Sequence, residues 1–282
     1  MAGSRLLTVN GSNEQAAITW NTGLVSSVNV KDLTYQTLVK NFKLDYHFVS
    51  SSPLNPKRPK RAYLTKFIQE VNCAAFPGYL FTYHGVNLGN DTSTLPFDTG
   101  VQQDIFGYYN GSATSIAPEI YVASGDTGTD GERYRIAPAS GYSLFSSNVG
   151  GRTVDGSKVY YGSLATVTSP GGGVSTITYE SADYYDAVTG TNIAGGGPRV
   201  KNVRTTGSDA GSDMTIRYRY VSSSTATLRS SGRWTYRPMF MALAPGAAAI
   251  RVPYNIAPEE QILYYRVEES VTGRGKNRVR FS

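Results

Sequence analysis

The chain has 282 residues and a formal net charge of +6, with a pI near 9.2. It carries 21 Tyr and 30 Gly, only 17% charged residues and one cysteine, Cys73 in Val-Asn-Cys-Ala-Ala. A single cysteine excludes an intrachain disulfide scaffold, and 12% aromatic residues exclude bulk disorder.

Tyr, Val and Thr suit a pleated, half-buried surface, and Gly suits the turns between strands. A helical chain would be richer in Ala, Leu, Glu and Lys. The expected class is therefore all-β, in one large domain or two smaller ones. Such a chain buries roughly 75% of its unfolded surface and needs no metal or disulfide to fold. The positive charge reads first as a soluble surface and second as attraction to an acidic partner, nucleic acid or acidic polysaccharide. The opening residues, Met-Ala-Gly-Ser-Arg-Leu-Leu-Thr-Val, hold no long apolar core, and no run of 18 apolar residues occurs. Neither a signal peptide nor a membrane span is expected.

In chain order, one pattern recurs five times. An apolar residue is followed three positions later by another; after a turn, an apolar residue stands two positions before an aromatic one. The copies are Val25/Val28 with Leu44/Tyr46, Leu64/Phe67 with Phe81/Tyr83, and Leu164/Val167 with Ile177/Tyr179. Two more follow, Val200/Val203 with Ile216/Tyr218 and Tyr264/Val267 with Val279/Phe281. In the third copy two β-rich arms flank Pro170-Gly171-Gly172-Gly173, the composition of a hairpin turn. A helix over 62–70 is the weaker reading against a strand.

Repeated hairpins gain stability by pairing edge to edge. The expected fold is a long curved antiparallel sheet, or a partly closed barrel or shell. Its first and last arms would be open edges that invite pairing. From those edges comes the expectation that the chain is a piece of a longer exported one. Residues 1–83 hold two hairpin units, 84–163 an insert, and 164–282 three further units, read together as one continuous domain. A second, less regular stretch covers 223–258.

The insert contains Asp104-Ile105-Phe106-Gly107-Tyr108-Tyr109-Asn110-Gly111. With the third and fourth hairpins, Tyr184-Tyr185-Asp186 and Gly195-Gly196-Gly197-Pro198-Arg199-Val200, this order of elements resembles a region of large Bacteroidota surface or secreted proteins related to RHS/YD-repeat proteins. The resemblance spans roughly 20–282. Ile105-Phe106 and Pro198 depart from it. It implies a β-rich shell or filament at the cell surface or outside the cell, in some relatives around a toxin domain, with no catalytic residues in this region.

Candidate chemistry is sparse. His47 and His84 each follow a closing tyrosine, and these equivalent positions favour a structural role over a metal pair. No Walker loop, zinc-protease helix motif, nucleophile elbow or dinucleotide fingerprint is present. The loop from Asp126 through Asp130 to Glu132 alternates oxygen ligands around glycine and is the candidate Ca²⁺ site, against a plain solvated turn. Lys57-Arg58-Pro59-Lys60-Arg61 reads as a solvated loop rather than a nucleic-acid patch. Arg274, Lys276, Arg278 and Arg280 place a charge at every second residue, a wet face that discourages edge aggregation, with an acidic-partner groove as the minority reading.

The candidate ligand-binding residues are Tyr108, Tyr109, Tyr184, Tyr185 and Trp234, together with Trp20. Core packing and cross-strand pairing compete with that role. The leading functional expectation is a non-enzymatic structural or interaction module forming a shell, stalk or adhesion surface. Its partners would be other segments of a larger parent chain, other proteins or a polysaccharide, without nucleic acid and without a cofactor apart from the candidate Ca²⁺. The alternatives are a carbohydrate-binding module using exposed Tyr and Trp, and a glycan-active enzyme with two carboxylates in a cleft.

Overall fold

The computed structural model describes residues 5–12, 14–21, 23–35, 37–49, 61–71, 74–88, 102–104, 106–111, 121–123, 134–135, 140–144, 153–187, 189–207, 213–222, 229–234, 241–242, 250–251 and 262–280. These form twenty strands, and no helix occurs among them. The first ten are β1 (Arg5–Asn10), β2 (Glu14–Asn21), β3 (Leu24–Asp32), β4 (Thr37–Val49), β5 (Arg61–Val71), β6 (Ala74–Ala75), β7 (Tyr79–Tyr83), β8 (Tyr121–Ala123), β9 (Tyr134–Arg135) and β10 (Tyr142–Leu144). The rest are β11 (Leu164–Thr168), β12 (Val174–Asp186), β13 (Thr191–Thr206), β14 (Met214–Arg219), β15 (Gly232–Trp234), β16 (Met241–Ala242), β17 (Ile250–Arg251), β18 (Ile262–Tyr264), β19 (Arg266–Val271) and β20 (Gly275–Arg280).

Thirteen strands make one open sheet in the order β1-β2-β3-β4-β5-β7-β11-β12-β13-β14-β19-β20, with β6 beside β5. The all-β class and the long antiparallel sheet expected from the hairpin pattern are thus present. Residues 62–70 are strand. Within the insert, β10, β8 and β9 form a small separate sheet.

The chain divides into two compact units. The first comprises Met1–Leu95, Gly162–Ile177 and Arg204–Met214; the second comprises Pro96–Tyr161, Thr178–Val203 and Thr215–Ser282. In the first unit, Leu7, Ile18, Val28 and Phe42 stand opposite one another across β1 to β4. The Phe42 ring stacks on Phe67 at 5.6 Å. The other face is polar, with Glu70 accepting from Asn41 Nδ2 at 2.8 Å and from Lys43 Nζ at 2.7 Å. The third-copy turn closes as expected: Gly172 has φ 83°, and Ser169 N donates to Gly173 O at 2.8 Å.

The spacing of three within the repeat has a physical cause. In a regular strand, residues three apart face opposite sides. Here the register slips by one residue at Ser26 in β3, Thr65 in β5 and Ala165 in β11. Each slip lies inside a repeated pair: Val25/Val28, Leu64/Phe67 and Leu164/Val167. A β-bulge absorbs one residue and returns both apolar side chains to the same face. In the fifth copy β18 ends at Tyr264 and β19 begins at Arg266, so a break again falls inside the pair Tyr264/Val267.

The bulges account for the tyrosines as well. Tyr46 Oη donates to Val25 O at 3.0 Å, Tyr83 Oη to Leu64 O at 2.8 Å, and Tyr220 Oη to Val200 O at 2.7 Å. Each hydroxyl satisfies a carbonyl of the residue that opens a repeated pair. In the fourth copy the latching residue is Tyr220, two positions beyond the expected Tyr218. Where the slipped residue bears a hydroxyl, it also donates across the ladder, Ser26 Oγ to Thr19 O and Thr65 Oγ1 to Asp45 O, both at 3.1 Å.

Candidate functional site

Among the described residues of the second unit, charge and aromatic rings gather around Arg199 on β13. Its side chain is 13% exposed. Nε donates to Glu180 Oε1 at 2.8 Å, and Nη2 lies 2.7 Å from the same oxygen. Nη1 and Nη2 embrace the Asp183 carboxylate as a fork, and Nη1 also donates to Tyr264 Oη at 3.0 Å. The guanidinium carbon stands 4.5 Å from the centre of the Tyr220 ring and 5.2 Å from that of Tyr264, within cation–π range.

The network is saturated. A guanidinium has five N–H donors, and all five are engaged. Tyr264 Oη donates to Asp183 O at 3.1 Å and accepts from Asp183 N at 2.9 Å as well as from Arg199. Burial opposes the Arg199 charge, but the Asp183 hydrogen bond and the neighbouring carboxylates outweigh it and hold its pKa above the ordinary value. Burial pushes the Tyr220 phenol up to about 12, with the Arg199 cation pulling the other way. The Tyr264 phenol is also raised, chiefly by burial. Arg199 therefore clamps β12, β13 and β18 together and has no donor left for a ligand.

The glycine run beside it has a packing cause. Gly195, Gly196 and Gly197 lie inside β13 and are buried. A Cβ on Gly195 would overlap Ile262 Cδ1, and one on Gly197, where φ is +89°, would sit 2.7 Å from Tyr108 Cζ. Tyr108 thus lies over a strand that has given up its side chains to receive it.

The Asp104–Gly111 segment is a folded staple. Asp104 Oδ1 accepts from Phe106 N at 2.8 Å and Tyr108 N at 2.9 Å, the geometry of a side chain closing a turn on its own backbone. Asn110 Nδ2 donates to Thr153 O at 3.0 Å. Asp104 and Asn110 are both 0% exposed. Lys158 Nζ reaches Asn110 O at 3.3 Å and Asp155 at 3.1 Å. The Asp155 carboxyl sits below its usual range, mainly through the Ser157 hydroxyl.

The remaining candidates are dispersed. The Tyr109 ring packs on Tyr161 at 5.5 Å. Tyr184 and Tyr185 are half-buried on β12, and Arg229 lies over the Tyr185 ring at 4.5 Å. Trp20 is half-buried on β2, and Trp234 ends β15. His84 Nε2 lies 3.3 Å from Ile177 O, while His47 stands opposite Tyr63 with its Nε2 unpaired among the described residues. Asp126, Asp130, Glu132 and Cys73 lie outside the described residues, as do Lys57–Lys60.

Sequence reasoning passed over Arg199, Glu180 and Asp183. The available signal was an arginine directly after a glycine run in a strand, with two carboxylates in the preceding strand of the same hairpin unit. No family model, curated protein or solved structure matches this chain.

Proposed function

We propose that the chain is a non-enzymatic structural and interaction module, a β-sheet scaffold that extends by pairing its edges with further strands. One observation carries the reading: among the described residues the large sheet is open, and its path ends at β1 and β20. On β1, Leu7 is 51% exposed and Val9 53%. An edge with free backbone groups and apolar side chains is a template for another strand, in another chain or another segment of the same one. The repeated bulges and tyrosine latches support it, since they spend aromatic and polar groups on holding the sheet. The saturated Arg199 cluster supports it in the same way. The secreted or cell-surface setting and the kinship with RHS-like shells rest on the resemblance and belong to this proposal.

The test replaces Leu7 and Val9 together by lysine and compares solution mass by light scattering over a range of concentrations. The expected result is association of the wild-type chain and its loss in L7K/V9K. A wild-type chain that stays monomeric at every concentration, with the mass of the variant, would count against edge pairing.

A further inference from the structure

A second surface lies on one face of β14 from Thr215 onward, β19 and β20, within the second unit. The register sets Arg217 opposite Ser270 and Arg219 opposite Glu268. It sets Ser270 opposite Lys276, Glu268 opposite Arg278 and Arg266 opposite Arg280. Because side chains alternate along strands, these positions share one face. Cations therefore flank β19 on both sides, and Ser270 stands between Arg217 and Lys276.

The strand in the middle contributes almost no free charge. Arg266 and Glu268 are 7% and 4% exposed, paired at 2.6 Å. Arg217, Lys276 and Arg280 are exposed and form no ion pair with any described residue. Arg219 is 3.9 Å from Glu268, with its own side chain 45% exposed. The result is a trough about 9–10 Å across, two strand spacings wide, half-buried at Ser270 and covered toward Arg266, where Nη1 donates to Ser222 O at 2.9 Å.

We propose that this trough binds an acidic polysaccharide, carrying uronate or sulfate groups, across Ser270 between Arg217 and Lys276. The placement of the cations on β14 and β20, either side of β19, decides against an acidic peptide added at the β20 edge, because such a strand would lie three strand spacings from Arg217. The trough positions bear no aromatic residue, whereas single-stranded nucleic acids are held by stacking platforms as well as charge. Charge on both sides of a stack-free trough is the chemistry of a polyanionic sugar. This surface is independent of whether the sheet edges pair.

The test measures binding of heparin and polygalacturonate, with single-stranded DNA and polyglutamate as comparators, across a salt series. The trough variant R217Q/K276Q is set against K40Q/K66Q, which removes the same charge from the first unit. The expected result is binding of at least one polysaccharide, weakened about tenfold in the trough variant and less than twofold in the control. The slope of log affinity against log salt should also become shallower by about one to two in the trough variant. Equal weakening in both variants, tighter binding of DNA or polyglutamate than of either polysaccharide, or no polysaccharide binding at about 0.15 M salt would overturn the assignment.

Discussion

Replacing Tyr83 by Phe removes one oxygen and keeps the ring, which packs against Tyr63 at 4.8 Å. The lost group is the donor to Leu64 O at 2.8 Å, beside the bulge at Thr65. A typical hydrogen bond contributes about 1 kcal/mol net, and an orphaned acceptor costs about 1–3 kcal/mol when water is excluded. The site is half-buried, so water reaches part of the carbonyl, and the expected loss is about 1–2 kcal/mol. Urea unfolding followed by tyrosine fluorescence should show a lower midpoint at unchanged slope, since the surface exposed on unfolding is the same. The control is Tyr35→Phe at a residue 76% exposed, which should stay within about 0.5 kcal/mol of wild type. If Tyr83→Phe is as silent as Tyr35→Phe, the latch is an ornament of the bulge and the structural reading of the repeat fails.

Arg199→Met should be more severe, because it leaves Glu180 and Asp183, 30% and 23% exposed, without their shared cation. The expected loss is about 3 kcal/mol or more by denaturant titration, with Arg199→Lys recovering only part of it, since lysine cannot make the fork. Tyr220 should contribute to alkaline unfolding. Its phenol has a pKa of 10.0 when unfolded and about 12 in the fold. Below pH 10 both states keep the proton; between 10 and 12 only the folded state does, so stability falls by about 2–3 kcal/mol over that window. Urea midpoints at pH 9 and pH 12 measure this fall, and Tyr220→Phe should reduce it, the remainder coming from the other tyrosines that burial raises, Tyr264 among them.

The sheet was legible in the residues because its repeat is written in apolar spacing and glycine turns. What the spacing meant was not. Val25/Val28 and Leu64/Phe67 violate strand alternation, and only the register shows that Ser26 and Thr65 are the extra residues that restore it. The hydroxyl target of Tyr46 or Tyr83 is likewise a backbone carbonyl, which leaves no mark in sequence. In the insert motif at 104–111, Tyr108 and Tyr109 read as candidate ligand-binding residues, with core packing as the competing role. Within it, the buried Asp104 Oδ1 closes the segment's own turn and Asn110 Nδ2 donates to Thr153 O. The Arg199 clamp escaped notice because it gathers residues from β12, β13 and β18 with Tyr220, and no short window contains them. The cation alternation at 274–280 was visible, but the matching wall at Arg217 and Arg219 required the pairing of β14 with β19.

The open sheet is the claim on which the rest depends, and residue-resolved amide hydrogen exchange in dilute solution addresses it most directly. In an edge strand, every second amide points away from its one neighbour. The account predicts alternating fast and slow exchange along β1 and β20, with continuous protection along β4 and β12. Uniform protection of β1 and β20 at high dilution, equal to that of β4, would show a closed sheet and contradict it.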